Sequence, residues 1–115
     1  MKVTIYHNPR CTKSRQTLEL LRSRGIEPEI IEYLNAPPDK TTLKKILRLL
    51  KLTPRELMRK KEGAYKKARL DDETLSTDAL ISAMLKHPVL IERPIVLANG
   101  KAAIGRPPEN VLEIL

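Results

Sequence analysis

The chain has 115 residues, a formal net charge of +8 and a single cysteine. This length fits one compact domain, and one cysteine excludes an internal disulfide, which favours a reducing, cytoplasmic compartment. No apolar run reaches the roughly 18 residues of a membrane-spanning helix. The absence of Phe and Trp argues against a base-stacking surface for nucleic acid, so the basic excess better suits a small anion.

The first third of the chain alternates between strand and helix patterns. An apolar alternation predicts a strand over residues 2–6, and an Asn-Pro turn leads into a helix from about Thr12 to Arg24 that Gly25 ends. Ile30-Ile31 predicts a short second strand. Strand, helix and strand within about 30 residues form a βαβ unit, so the two strands should be parallel.

The middle of the chain carries helical signals. Apolar residues at i, i+3, i+4 and i+7 from Leu43 predict one helix, Thr53-Pro54-Arg55-Glu56 is a capping box that opens a short one, and Ser76 begins another. We expect a helical insert at about residues 39–87 within a single domain, residues 1–115.

The last third returns to strands. Asn99-Gly100 lies between two apolar runs and is a strong hairpin signal. A terminal helix should follow, with Val111, Leu112 and Leu115 as its apolar residues. The resulting order, β-α-β, helical insert, β-β-α, predicts an α/β fold with a four-stranded mixed sheet that resembles the thioredoxin-like plan.

Cys11 falls at or beside the N-cap of the first helix. The first backbone N–H groups of a helix have no internal partner and the dipole end is positive. With Arg10, Lys13 and Arg15 as neighbours, the thiol should lose its proton more easily than a free one. The alternative is a buried cysteine that serves as a small hydrophobe. The charged neighbours favour a reactive thiolate.

Three arginines lie at element boundaries: Arg59 after the capped short helix, Arg93 before the third strand, and Arg106 after the fourth. A guanidinium is a planar fork that binds tetrahedral oxyanions and stays charged. Three of them around one thiolate would depress its pKa and neutralise a dianionic substrate. For each arginine taken singly, the composition favours a surface residue or the partner of a carboxylate, and spacing alone does not show that they converge.

The segment around the cysteine resembles the active loop of the glutaredoxin-coupled arsenate reductase family, and it reads Ile5-Tyr6-His7-Asn8-Pro9, then Cys11, then Ser14-Arg15. The similarity continues in the family's order and spacing over essentially the whole chain. The further matching segments are Leu57-Met58-Arg59-Lys60, His87-Pro88-Val89-Leu90-Ile91, Arg93-Pro94-Ile95-Val96 and Gly105-Arg106-Pro107.

The resemblance implies a thioredoxin-like fold with a helical insertion and a role in arsenic detoxification. It implies that Cys11 attacks arsenate, or a similar oxyanion, bound by Arg59, Arg93 and Arg106. Glutathione is then a co-substrate and glutaredoxin a protein partner, which suits a chain whose resolving thiol must come from outside. We expect a monomer with no bound cofactor, no metal, and no nucleic-acid or membrane partner.

Five residues are supporting candidates. His7 is a cation that stabilises the thiolate, an orienter of the loop, or a packing residue. Ser14 either donates to the sulfur or satisfies a first-turn amide, Asn8 fixes the turn, and Arg15 flanks the cysteine. Pro94 resembles the cis-proline that faces the reactive cysteine in thioredoxin-like proteins, although a trans bond is the default from sequence.

The active loop also departs from the family. Thr12-Lys13 replaces the Gly-Thr of better-studied members and Arg10 precedes the cysteine, which indicates a sister branch. A glutathione-linked thiol oxidoreductase with another substrate and a non-catalytic Spx-like transcription regulator stay open. A tyrosine-phosphatase-like loop is disfavoured, because Gln16 stands where that loop needs an arginine and no glycine is present.

Overall fold

The computed structural model describes residues 2–115. The chain forms two compact units. One comprises the chain up to Ala36 and from Arg93 onward, and the other comprises Pro37–Glu92. The predicted insert, about residues 39–87, falls within the second unit. That the whole chain behaves as a single domain stays a prediction.

The first unit contains a four-stranded sheet. Strands β1 (Val3–Tyr6), β2 (Glu29–Ile31), β3 (Ile95–Ala98) and β4 (Lys101–Ile104) lie in the order β2-β1-β3-β4. β1 and β2 are parallel, whereas β3 is antiparallel to both β1 and β4. This confirms the predicted α/β class, the mixed sheet and the parallel βαβ unit.

Helix α1 spans Thr12–Ser23 and joins β1 to β2. It ends one residue earlier than predicted, with Arg24 as the C-cap. Gly25 follows with φ +77°, and the N–H groups of Gly25 and Ile26 donate to the carbonyls of Arg22 and Leu21. This is the Schellman geometry that a left-handed glycine permits, and it orients the chain for its return into β2.

The core of this unit lies between α1, the sheet and the C-terminal segment. Its members are apolar side chains that alternate along the strands or recur along the helix, as the sequence pattern requires. The buried residues are Val3, Ile5, Leu18, Leu21, Val96, Ala98, Val111 and Ile114. The core therefore fixes α1, and with it Cys11, against β1 and β3.

The C-terminal segment differs from the prediction. Pro108–Ile114 is a 3₁₀ helix, not an α-helix. Val111 and Ile114 are its buried apolar residues, and their spacing of three matches the three residues per turn of a 3₁₀ helix. Leu112 and Leu115, the other apolar residues expected in this helix, are only half-buried, because at three residues per turn they lie about 120° around the helix from the buried face of Val111 and Ile114.

The second unit is helical. It contains α2 (Lys40–Leu50), α3 (Pro54–Leu57), α4 (Gly63–Lys67), α5 (Thr77–Lys86) and a 3₁₀ turn, Pro88–Leu90. None of the helices in residues 2–115 is long and apolar enough to cross a membrane.

Side-chain caps start three of these helices. Asp39 accepts a hydrogen bond from the Thr42 N–H at the start of α2, and Ser76 accepts one from the Ala79 N–H at the start of α5. Thr53 forms the predicted capping box at the start of α3. Caps of this kind satisfy N–H groups that a helix leaves unpaired. The sequence located the starts at Thr53 and Ser76 because these contacts are local, whereas the Asp39 cap was not predicted.

Candidate active site at Cys11

Cys11 is the N-cap residue of α1, with φ −91° and ψ 123°. The turn before it is held by Asn8, whose carbonyl accepts the Cys11 N–H at 3.0 Å and whose Oδ1 accepts the Arg10 N–H at 3.0 Å. The second bond is an Asx turn, in which the side chain mimics a backbone turn. Asn8 thus lies where a turn-fixing residue was predicted.

Arg15 folds back over the same turn. Its Nη1 donates to the Pro9 carbonyl at 3.1 Å and its Nη2 donates to Thr12 Oγ1 at 3.4 Å. The sequence identified Arg15 only as a cation beside the cysteine. The structure shows that it also ties the first turn of α1 to the loop that precedes it.

Ser14 lies beneath the loop and is fully buried. Its Oγ accepts the Asn8 N–H at 3.0 Å and lies 2.6 Å from Nδ1 of His7, which is also buried. Buried polar groups that find partners in this way hold a single geometry. The three residues therefore form one hydrogen-bonded network under the turn that carries Cys11.

The surroundings of His7 favour its neutral form. Burial is the main cause of a pKa below the ordinary imidazole value, and the cations Arg22 and Arg15 lower the pKa further, while Glu32 opposes them. A neutral imidazole adds no charge to the thiolate but can orient Ser14. Of the three roles left open by the sequence, the geometry favours the orienter.

Two of the three predicted arginines belong to the same unit as Cys11 and act on its sulfur. Arg106 Nη2 lies 3.4 Å from Cys11 Sγ, and Arg106 Nε donates to the Arg93 carbonyl at 2.8 Å. Arg93 precedes β3 and Arg106 follows β4, so the β3-β4 hairpin brings both to one end of the sheet. The loop that carries Cys11 follows β1, the neighbour of β3.

The thiol of Cys11 has a pKa below its ordinary value. Burial of the sulfur alone would raise that pKa. The backbone N–H of Ser14 and the guanidinium groups of Arg93 and Arg106 outweigh burial, because they stabilise the negative thiolate. Such a sulfur is a better nucleophile at neutral pH than a free thiol, since the thiolate is the reactive form.

The third predicted arginine, Arg59, lies in the helical unit. Its Nε is 3.1 Å from Glu62 Oε1 and its Nη1 is 3.0 Å from Glu92 Oε1. Its N–H donates to the Leu90 carbonyl at 2.7 Å. These ion pairs match the alternative that the sequence left open, a carboxylate partner. A role for Arg59 in oxyanion binding stays a prediction.

The peptide bond between Arg93 and Pro94 is cis. The cis bond agrees with the resemblance of Pro94 to the cis-proline of thioredoxin-like proteins. It does not agree with the trans bond that is the default expectation from sequence. The bond between Arg106 and Pro107 is cis as well, which the sequence analysis did not anticipate.

Two further residues at the site were missed by the sequence analysis. Thr17 is fully buried, and its hydroxyl donates to the Lys13 carbonyl at 2.8 Å. Gly105 is buried directly against Thr17. The only signal for this pair in the sequence is a hydroxyl residue on the apolar face of α1 and a glycine between β4 and Arg106.

A shallow groove of about 430 Å³ lies beside α1, in the same unit as Cys11. Lys13, Gln16 and Glu19 form its wall on the helix, and Pro107 and Glu109 belong to its opposite wall. The side chains that line the groove carry both positive and negative charges. Lys13 places one end of the groove close to the active loop. Within residues 2–115, no three His, Cys, Asp or Glu side chains cluster closely enough to hold a metal ion.

The model of the ArsC family matches residues 6–114. The chain belongs to the ArsC family. It is 58% identical over 115 residues to the uncharacterized protein YfgD of Escherichia coli strain K12, covering 99% of this chain and 97% of that protein. It is 52% identical over 115 residues to an arsenate reductase of Neisseria meningitidis serogroup B, strain MC58, and the match covers 99% of this chain and 98% of that protein.

The solved structure of the arsenate reductase from Vibrio cholerae has a TM-score of 0.97 with this chain. The two are 55% identical, and the match covers 100% of this chain and 98% of that one. This ArsC structure confirms the predicted thioredoxin-like fold. The match to the ArsC family likewise confirms the family that the residues around Cys11 indicated.

Proposed function

We propose that this chain is an arsenate reductase in which Cys11 is the nucleophile and glutathione and glutaredoxin supply the electrons. The observation that carries the proposal is the Cys11 thiol, its pKa lowered and its sulfur 3.4 Å from Arg106 Nη2. It is supported by membership of the ArsC family and by relatives named arsenate reductase in Neisseria and Vibrio.

In the first step the Cys11 thiolate attacks the arsenic atom of arsenate. A sulfur–arsenic bond forms, an arsenic–oxygen bond breaks, and the departing oxygen leaves as water after protonation. Arsenic stays in the As(V) state. Arg93 and Arg106 bind the oxyanion, because a guanidinium fork matches two oxygens of a tetrahedral anion and offsets the charge brought near the thiolate. We propose Arg59 as a third ligand.

In the second step glutathione attacks the sulfur of the Cys11 adduct. A sulfur–sulfur bond forms and the electron pair of the sulfur–arsenic bond passes to arsenic, which leaves as arsenite, As(III). Two thiols are thereby oxidised to one mixed disulfide while arsenic gains two electrons. The groove beside Lys13 and Pro107, along the helix that Cys11 caps, offers a surface for a small charged peptide thiol.

In the third step glutaredoxin removes glutathione from Cys11 by thiol–disulfide exchange and the free thiol returns. The chain contains no second cysteine that could resolve the disulfide, so the resolving thiol must come from another molecule. The cycle requires a reducing compartment, and we propose the cytoplasm.

The decisive experiment supplies purified protein with arsenate, glutathione, glutaredoxin, glutathione reductase and NADPH. We expect NADPH consumption that depends on arsenate and equals the arsenite formed. Replacement of Cys11 by serine should abolish both NADPH consumption and arsenite formation, because a hydroxyl at this position is a far poorer nucleophile. The fold should stay intact. A folded Cys11→Ser variant with normal turnover would remove the mechanism.

A second candidate is a glutathione-linked thiol oxidoreductase with another substrate. It is favoured by the charged active loop, in which Arg10, Thr12 and Lys13 are all exposed, and by the similarity to a relative whose name states no activity. NADPH consumption that requires a disulfide and not arsenate would select this candidate. Recovery of RNA polymerase subunits by the protein, with no turnover in either assay, would select the Spx-like regulator instead.

A further inference from the structure

Gly105 occupies a position at the end of β4 where a side chain has no room. A Cβ atom built there would lie 2.8 Å from Pro94 Cγ and 3.0 Å from Thr17 Cγ2, and closer still to Thr17 Oγ1. Thr17 is fully buried and branched at Cβ, and Pro94 is a rigid ring, so neither can turn aside. Gly105 does not adopt a positive φ. The requirement for glycine is therefore steric.

The same close approach joins three segments of the site. The Gly105 N–H donates to the Pro94 carbonyl at 2.9 Å, which ties the end of β4 to the start of β3. Thr17 Oγ1 lies 3.4 Å from the Gly105 carbonyl and 2.8 Å from the Lys13 carbonyl, which ties the end of β4 to the first turns of α1. Cys11 is the N-cap of that helix.

Arg106 follows Gly105 directly, and its main chain is fixed on both sides. Its N–H donates to the Ile104 carbonyl at 2.9 Å, and its carbonyl accepts from Asn110 Nδ2 at 3.0 Å. Its Nη2 lies 3.4 Å from Cys11 Sγ, within hydrogen-bond distance of the sulfur. A backbone shift of a few tenths of an ångström at Gly105 would move the guanidinium away from the sulfur.

We propose that Gly105 is a positioning residue, whose contact with Thr17 and Pro94 sets the distance between the Arg106 guanidinium and Cys11 Sγ. Gly105 touches neither the sulfur nor the substrate and acts only through Arg106. The inference rests on the role of Cys11 in the proposed function. It adds that the attacking group and Arg106, one of the two cations that act on it, are held at the correct separation by the absence of a side chain.

The test is Gly105→Ala, read by the pH profile of Cys11 alkylation with iodoacetamide. The added methyl group must push β4 away from α1, so we expect the midpoint of the profile to rise by roughly half a pH unit or more. Arsenate should also protect Cys11 from alkylation about tenfold less well, as expected when one charge-assisted hydrogen bond is weakened. A folded variant with an unchanged midpoint would overturn the proposal.

A second substitution should partly reverse the effect. Thr17→Ala removes two of the three atoms that a Cβ at Gly105 would meet and leaves the contact with Pro94 Cγ, so the Gly105→Ala/Thr17→Ala double variant should recover part of the shift in the midpoint. Rescue of this kind shows that the contact, not the loss of glycine, moves the thiol. A double variant no better than Gly105→Ala would contradict the proposal.

Gly63→Ala is the matched control, because Gly63 has a non-positive φ and a Cβ added there would meet no atom within 4 Å. Its alkylation profile should equal that of the wild type. If Gly105→Ala fails to fold, Thr17→Ile tests the same contact from the other side, because Ile is branched like Thr but longer and must press on the backbone at Gly105. A raised midpoint in Thr17→Ile supports the proposal and an unchanged midpoint opposes it.

The two proposals fail in different ways. An ordinary thiol midpoint in the wild-type protein would defeat the proposed function. A low midpoint in the wild type that Gly105→Ala leaves unchanged would defeat only the role of Gly105.

Discussion

At the scale of single residues, the site depends on the balance of charges at one sulfur. Burial opposes ionisation of Cys11, and the Ser14 N–H, Arg93 and Arg106 favour it by more. A lone thiol in an apolar core has no such groups around it, so burial would raise its pKa and leave it inert. The surrounding groups, and not the cysteine itself, make the sulfur reactive.

Arg93 and Arg106 should each contribute to oxyanion affinity. We expect Arg93→Ala and Arg106→Ala to weaken arsenate binding by about 1.5 kcal/mol or more each, roughly tenfold in Kd, because each removes charge-assisted hydrogen bonds. Protection of Cys11 from alkylation by arsenate measures this affinity. Arg24→Ala, at the far end of α1, removes the same charge and should have little effect. Equal affinity in all three variants would mean that neither arginine binds the anion.

The lowered pKa of Cys11 also makes stability depend on pH. The unfolded thiol ionises near pH 8.5 and the folded one at lower pH, so between the two values the folded state binds fewer protons and stability rises with pH. The contribution of Cys11 to the free energy of unfolding is complete above the pKa of the thiol in the unfolded chain. It is lost as pH falls through the lower pKa of the thiol in the folded protein.

Urea unfolding of the reduced protein and of Cys11→Ser at a series of pH values measures this contribution. The difference in unfolding free energy should shift in favour of the wild type as pH rises through that window and then level off. All other titrating groups cancel in the difference. A difference that stays constant across the window would show that folding does not change the thiol pKa.

At the scale of elements, the β3-β4 hairpin determines where both arginines lie. Its turn residues Asn99 and Gly100 have φ of 54° and 71°, the left-handed values that a two-residue hairpin turn requires. Asn99 Nδ2 also donates to the Ile114 carbonyl at 2.9 Å. Asn99 therefore closes the hairpin through its backbone conformation and attaches the C-terminal 3₁₀ helix through its side chain.

Asn99→Ala should lower the free energy of unfolding by about 1–2 kcal/mol, because alanine disfavours a positive φ and loses the hydrogen bond to Ile114. Asn99→Gly is the matched variant, since it loses the same hydrogen bond but accepts the backbone conformation. Urea unfolding should therefore rank wild type above glycine and glycine above alanine. If alanine equals or exceeds glycine, the left-handed turn does not limit stability.

At the scale of the whole molecule, the net charge of +8 favours the approach of anions. Fields from exposed charges are screened over a Debye length of about 10 Å at 0.1 M salt. The attraction of an anionic reagent to Cys11 should thus weaken as salt is added, whereas the approach of a neutral reagent should not.

Iodoacetate and iodoacetamide alkylate the same sulfur and differ by one negative charge, so the ratio of their rates removes the fraction of thiolate from the comparison. We expect the ratio to fall severalfold when NaCl rises from about 20 mM to about 500 mM. Urea-unfolded protein is the control and should show a smaller change. A ratio independent of salt would mean that the basic surface does not act at the site.

The sequence by itself determined the features that depend on neighbouring residues. The position of Cys11 at a helix N-cap, the capping box at Thr53, the left-handed stop at Gly25 and the Asn99-Gly100 hairpin all follow from local backbone chemistry, which acts over a few residues. The terminal helix was the exception, because burial at a spacing of three decided its 3₁₀ form.

Tertiary structure alone decided which groups meet. Cys11 and Arg106 are 95 positions apart, and only the pairing of β1 with β3 and of β3 with β4 brings them together. The contact between Gly105 and Thr17, which are 88 positions apart, has the same origin. Distances between remote residues are set by how strands pair and side chains pack, and no local pattern records that outcome.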